Sequence, residues 1–166
     1  DCLVISPVES VWCQVYAGFS VWLEAKDAGI KRLEERYKML YQMLLANNVA
    51  FDFADEEMLA RLYGFDGAAL RGGAAKYKKV IVSGMLTMRR TTADILNAFA
   101  ERGGEVIVLG ELPEYIDAVR KDVALNARIM PFCRESVSTL KSGVISAEND
   151  KIFAEIRRDK DTYYIH

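Results

Sequence analysis

The chain has 166 residues, the size of one domain, and a compact fold of that size buries roughly 70% of the unfolded surface without help from staples. Hydrophobic residues make up 51% and charged residues 28%, which excludes a disordered, collagenous or coiled-coil chain. Lys plus Arg number 22 against 24 for Asp plus Glu, a net charge of -2 that argues against nucleic-acid binding, and no apolar run nears the ~20 residues of a membrane span.

Cys2 to Val8 is an apolar run carrying Ser-Pro near its end and reads as the first strand. Ile30, Leu33, Tyr37, Leu40, Tyr41 and Leu44 then form a helical stripe, ended by Asn47 and Asn48. Val49 to Phe53 is a second strand, and Asp55 can cap a short helix through Glu56, Glu57, Met58 and Leu62, closed by Gly64. Gly64 to Lys79, rich in Gly and Ala, reads as a loop or hairpin. Val80 to Val82 is β-branched without a break and predicts a strand covered on both faces. Thr91 with Asp94 makes a capping-box-like start for a helix that buries Ile95, Leu96 and Phe99 and stops at Gly103-Gly104. Val106 to Leu109 is another covered strand, and Pro113 with Glu114 starts a helix through Ile116 and Val119.

This alternation predicts a five-stranded, mostly parallel sheet between helices, with Val80–Val82 and Val106–Leu109 adjacent and central. The two runs Ile152–Arg158 and Thr162–Ile165 around Asp159-Lys160-Asp161 predict a terminal hairpin outside that pattern. The division expected is residues 1–148 for the α/β unit and 149–166 for the hairpin, read as the opening of a following domain. Because the chain starts at Asp1 with no leader-like segment, it is read as a piece of a longer protein.

Cys2, Cys13 and Cys133 form no metal-binding pair, and the only histidine, His166, is the last residue. Ser-His-Asp and Cys-His catalysis therefore lack an internal base, and neither metal nor cofactor is expected. Ligands of open parallel sheets sit beyond the carboxyl ends of the strands. Those places read Ser6 to Ser10, Ser83-Gly84-Met85 and Gly110-Glu111-Leu112. The first carries no glycine fingerprint for a dinucleotide. Gly67 and Gly72 have Walker spacing, but Gly73 stands where Lys is required. Ser83 replaces the Asp of a phospho-acceptor receiver.

The interface or ligand candidates are Glu9, Ser10, Trp12, Tyr16, Phe19, Trp22, Ser83, Arg89 and Arg90. Glu9 and Ser10 either contact a substrate or partner or are a solvated acid and a helix cap. Arg89 and Arg90 either hold an anion or interface acid or form a solvated pair. The four aromatics cover the sheet edge or make an interface patch. Asp55, Glu56 and Glu57 either bind a cation or are acids favoured at a helix start, and Arg71, Lys76, Tyr77, Lys78 and Lys79 form either a nucleic-acid surface or a solvated basic hairpin.

Four stretches resemble one family in order along the chain. LVISPVESVW is similar to the opening of a domain in multidomain glycoside hydrolases of the α-L-rhamnosidase-like type. MLLANNVAFDFADEEMLAR and AAKYKKVIVSGMLTMRRTTADILNAFAERGGEVIVLGELP resemble its next two segments, and FAEIRRDKDTYYIH resembles the strand pair leading into its β-sandwich. The resemblance implies a three-layer, flavodoxin-like fold of the class I glutamine-amidotransferase-like type, shared with the trimerisation domain of certain β-galactosidases. It implies an accessory domain whose partners are a catalytic barrel and a β-sandwich of the same parent chain, with homo-oligomerisation an option. An amidotransferase has a Cys nucleophile after the strand that here ends VIVLGEL, and Gly110 and Glu111 occupy that elbow. The domain itself is thus expected to be non-catalytic. The other reading is a free-standing flavodoxin-like small-ligand or sensor domain.

Overall fold

Aliphatic runs without polar alternation suit strands covered on both faces. The computed structural model, which describes residues 2–16, 20–21, 24–25, 27–141, 156–159 and 162–165, puts three such runs at the centre of a sheet. In chain order, β1 (Cys2–Ile5) precedes a short helix, α1 (Val8–Trp12), and a ribbon of β2 (Ser20–Val21) and β3 (Glu24–Ala25). Helix α2 (Ala28–Ala46), β4 (Phe51–Ala54) and α3 (Glu56–Leu62) follow. Next come β5 (Tyr63–Asp66), β6 (Ala69–Gly72) and β7 (Ala75–Tyr77), then β8 (Lys79–Ser83), β9 (Thr87–Met88), α4 (Arg90–Glu101) and β10 (Glu105–Leu109). The remainder comprises β11 (Tyr115–Ile116), β12 (Val119–Arg120), β13 (Arg128–Met130), α5 (Arg134–Ser138) and the antiparallel pair β14 (Ile156–Asp159) and β15 (Thr162–Ile165).

The main sheet has the order β13-β10-β8-β1-β4 with every pairing parallel. Counting only its own strands along the chain, the order is 2-1-3-4-5. As the sequence predicts, the two covered runs are neighbours, Val80 opposite Val106 and Val82 opposite Val108. Alternate side chains point to opposite faces, so the sheet separates two cores. Leu3, Ile5, Val80, Val82, Val106 and Val108 pack with Leu59 of α3 and Leu96 and Phe99 of α4. Cys2, Val4, Ile81, Ile107 and Leu109 pack with Leu40 and Leu44 of α2 and Val137 of α5. Each fully buried aliphatic side chain contributes about 1.5–3 kcal/mol through loss of water contact.

Both long helices end alike. Asn48 takes a positive φ of 50°, its N–H bonds to Leu45 O at 2.9 Å, and Val49 N–H reaches Leu44 O at 3.0 Å. Gly103 (φ 92°) bonds Ala100 O at 2.9 Å, and Gly104 N–H reaches Phe99 O at 3.0 Å. Each is a Schellman stop that satisfies the last carbonyls and turns the chain toward its next strand. At the other end of α2, Asp27 accepts from Gly29 N–H at 2.7 Å and Ile30 N–H at 3.1 Å.

Four sequence expectations are corrected. The loop or hairpin read at Gly64–Lys79 is a three-stranded antiparallel meander, β5-β6-β7, turning at Gly67 and Gly73, both with positive φ. The helix expected from Pro113 through Val119 is the hairpin β11-β12 instead. Asp117 (φ 50°) and Ala118 (φ 60°) are both left-handed, the conformation of a two-residue hairpin turn, and β11 lies parallel to β9. No capping box opens α4, because the helix starts at Arg90 with no side chain of its own sequence capping it. Trp12 lies in a helix, where none was assigned. The fifth strand of the sheet is β13, which the sequence reading did not locate.

Among the described residues, no helix is long and apolar enough to cross a membrane.

Candidate functional site

The carboxyl ends of β1, β4 and β8 meet around Arg89. Helix α4 begins with N–H groups that its own residues do not satisfy, and acids from other elements take them. Arg89 N–H donates to Glu56 Oε2 at 2.7 Å, and Arg90 N–H donates to Asp117 Oδ1 at 3.0 Å. The Arg89 guanidinium reaches Glu9 Oε1 through Nη2 at 2.8 Å and Glu57 Oε2 through Nη1 at 2.5 Å. Three glutamates, from α1 and the start of α3, thus surround one arginine.

Their electrostatic states differ. Glu57 is half exposed, and its hydrogen bond to Arg89 holds it below the usual carboxylate range. Glu56 is fully buried, and burial pushes its carboxyl up to about 7. The neighbouring Thr92 hydroxyl and the Arg89 N–H oppose that rise, and the Glu9 carboxyl beside it adds to the rise. Glu9 Oε2, Glu56 Oε1 and Thr92 Oγ1 are all buried and have no hydrogen-bond partner among the described residues.

Ser10 is fully buried beside this cluster. Its Oγ accepts from Leu86 N–H at 2.9 Å and Thr87 N–H at 3.1 Å and donates to Thr87 O at 3.1 Å. One hydroxyl therefore splices α1 to the segment joining β8 to α4. Neither Glu9 nor Ser10 is the solvated acid or helix cap of the sequence alternatives, and Ser10 has no hydrogen-bonding capacity left for a ligand.

A groove runs along the other half of the strand ends. A cavity of about 390 Å³ is lined by Arg32, Arg36, Gly84, Met85, Glu111 and Leu112 among others. A second, of about 520 Å³, shares Arg32, Arg36 and Glu111 and adds Gly110 and Phe132. Arg36 of α2 lies between them. Its Nη2 donates to Leu109 O at 3.0 Å, and its guanidinium carbon sits 4.6 Å from the centre of the Phe132 ring. Gly110 (φ 95°) lies so close beneath it that a Cβ would stand 1.7 Å from Nη2. The elbow after β10 thus has the Arg36 guanidinium over its glycine and opens beside it into the cavity lined by Glu111 and Phe132.

Comparison with family models, with curated proteins and with solved structures found no match.

Of the other sequence candidates, Ser83 is buried and its Oγ donates to Leu109 O at 3.2 Å, so it faces away from any ligand role. Arg90 is half exposed and 3.8 Å from Asp117 Oδ2. Trp12 and Tyr16 are 64% and 53% exposed, so neither covers the sheet edge. Phe19 and Trp22 lie outside the described residues. In the basic hairpin, Tyr77 is not solvated: it is buried, and its hydroxyl donates to Asp52 Oδ2 at 2.7 Å. Among the described residues, no group of three His, Cys, Asp or Glu side chains is placed to hold a metal ion.

Sequence reasoning missed Glu56 and Arg36. Glu56 looked like any acid at a helix start, and only the chain's return at Arg89, 33 residues later, gives it a partner. Arg36 sits at the flank of the α2 stripe, three residues past Leu33 and four before Leu40, where an arginine that keeps its charged head in solvent is the ordinary expectation.

Proposed function

We propose that this chain is a non-catalytic structural or oligomerisation domain of a glycoside hydrolase, with a flavodoxin-like fold of the class I glutamine-amidotransferase-like type. The chemistry of the parent enzyme belongs to a separate barrel. The observation that carries the reading is the elbow after β10, where Gly110 and Glu111 stand under the Arg36 guanidinium. A nucleophile there needs an open site, an activating base and donors for the oxyanion. Gly110 and Glu111 supply no nucleophile, and the Arg36 guanidinium takes the space above them. The strand order 2-1-3-4-5 supports the flavodoxin-like assignment. The exposed Trp12 and Tyr16 support a docking role, since interface cores are enriched in aromatic residues.

Two measurements test this. The pure chain is expected to release no ammonia from glutamine and no chromophore from aryl glycosides above the buffer rate. Turnover that disappears on mutating a residue of this chain would overturn the reading. In the full-length protein, Trp12→Ser with Tyr16→Ser is expected to lower the assembled mass by light scattering while leaving the domain's melting midpoint within a few degrees. An unchanged mass sinks the docking role.

A second reading, a small-ligand or sensor domain, is favoured by the cavity of about 390 Å³ beside Gly84 and Met85 at the strand ends. It requires a small molecule that raises the melting midpoint of the wild type and fails to do so when Leu112→Trp fills the cavity.

A further inference from the structure

The cluster at Arg89 has too few donors for its oxygens. Glu9 and Glu56 come from two elements, α1 and α3, and their carboxyls meet inside the protein. Glu9 is 14% exposed and Glu56 fully buried. Each has one oxygen satisfied by Arg89, Glu9 through the guanidinium and Glu56 through the backbone N–H. Each has its second oxygen buried and without a donor, and Thr92 Oγ1 of α4 is a third such atom.

Leaving buried polar atoms unpaired is costly. The Thr92 hydroxyl carries one hydrogen, enough for one carboxylate oxygen. That leaves one of the two oxygens unpaired beside a like-charged group, and a single proton between the carboxyls would satisfy it and remove the repulsion. Glu57 also faces Arg89 from α3, but it is already bound to Arg89 and lies 3.5 Å from Arg61 Nη1, which is mostly exposed. One arginine shared by three carboxylates cannot neutralise them all.

We propose that Glu9 and Glu56 form a proton-held latch: one proton shared between their carboxyls fastens α1 to α3 and to the start of α4, and its loss loosens α1 together with its exposed aromatic face. Two attachments hold α1 to the segment before α4, the Ser10 hydroxyl on Leu86 and Thr87 and the Glu9 carboxyl on Arg89. Loss of the proton from Glu56 puts a second negative charge beside the Glu9 carboxyl and weakens that attachment by like-charge repulsion. The latch acts whether or not the domain belongs to a hydrolase, so it stands apart from the reading above.

The direction with pH follows from linkage. Glu56 has a folded value of about 7 against an ordinary 4.5. Its protonated form favours the folded state, so its share of stability is complete below about 4.5 and is lost as pH rises through about 7.

The test is thermal unfolding of the whole chain between pH 4.5 and 8.5 for wild type, Glu56→Gln and Glu9→Gln. The wild-type midpoint is expected to fall by roughly 5–10 °C between pH 5 and pH 8. Glu56→Gln, neutral with a donor of its own, flattens that fall, and Glu9→Gln reduces it. Hydrogen exchange on the wild type, corrected for intrinsic rates, gives a readout that needs no variant: amides of Val11, Trp12 and Cys13 lose protection above pH 7 while those of β8 do not. A wild-type midpoint that stays flat, equal slopes in wild type and Glu56→Gln, or uniform loss of protection overturns the latch. A rise in midpoint on adding CaCl₂ or NaCl at pH 8, seen in wild type and not in Glu56→Gln, would put a cation rather than a proton between the two carboxyls, and overturns it too.

Discussion

Ser10 is a serine between a glutamate and a valine, and nothing in those neighbours marks it as structural. In the fold it is fully buried, with its oxygen engaged by two backbone N–H groups and its hydrogen given to a carbonyl. Removing it leaves the part-buried Leu86 N–H and the buried Thr87 N–H without their acceptor. We expect Ser10→Ala to destabilise the domain by about 1–3 kcal/mol in urea unfolding. A loss under about 0.5 kcal/mol would mean that the segment from Leu86 to Thr87 finds other partners. Arg36 carries the opposite lesson about exposure. Its Nε is buried and unpaired, its Nη2 is committed to Leu109 O, and the neighbouring Glu111 carboxylate, 3.8 Å away, is almost wholly in solvent. Its position is therefore set by the backbone carbonyl and the Phe132 ring more than by the ion pair, which solvent screens.

At the scale of elements, the β11-β12 turn is the clearest strain. Two consecutive residues without the freedom of glycine adopt left-handed angles, and the second is an alanine. Its N–H is held by Thr87 Oγ1 at 3.1 Å, so the turn is fixed to β9 as well as closed on itself. Replacing Ala118 by Gly should stabilise the domain by about 1 kcal/mol, the cost of the left-handed conformation for an L residue. A destabilised variant would show that unfolded-chain entropy outweighs the relief. The same turn explains what could be read in advance. Val80–Val82 and Val106–Leu109 declare themselves because uninterrupted β-branched residues have few other uses. Asn47-Asn48 and Gly103-Gly104 declare their helix ends because a Schellman stop needs residues that tolerate positive φ. Pro113 and Glu114 mimic a helix start, and nothing local reveals that Asp117 and Ala118 turn left-handed. Arg128–Met130 is three residues long, with an exposed arginine and isoleucine, so its strand character comes wholly from pairing with Ile107 to Leu109. Glu56 and Glu57 are the same residue type side by side, yet only one is buried, and that choice is made by the arrival of α4. Secondary structure was legible where one segment decides it, and the site was not, because each of its contacts joins segments far apart.

For the molecule as a whole, the sheet is a partition between two cores that share no side chain. Ile5 faces the core of α3 and α4, while Ile107, two strands away, faces that of α2 and α5. Truncating either to alanine should cost about 2–5 kcal/mol. The two strands are roughly 10 Å apart across β8, and their side chains point oppositely, so the double variant should equal the sum of the single ones within about 0.5 kcal/mol. A clearly smaller sum in denaturant titrations would mean that the sheet transmits relaxation from one core to the other.

The position of β1 has a consequence in time. Its four residues, the first that the structure describes, lie between β4 and β8, with Leu3 opposite Asp52 on one side and Val80 on the other. During synthesis this segment emerges before both of its neighbours and then waits, fully apolar, until about fifty further residues supply one and almost eighty supply the other. No hairpin or local helix can shelter it meanwhile, because both of its ladders are long-range. Folding of such a parallel arrangement is slow and leaves sticky backbone unpaired. A ribosome-bound chain halted before Lys79 should therefore remain protease-sensitive throughout, and the sheet should close as a unit only once β8 has left the exit tunnel.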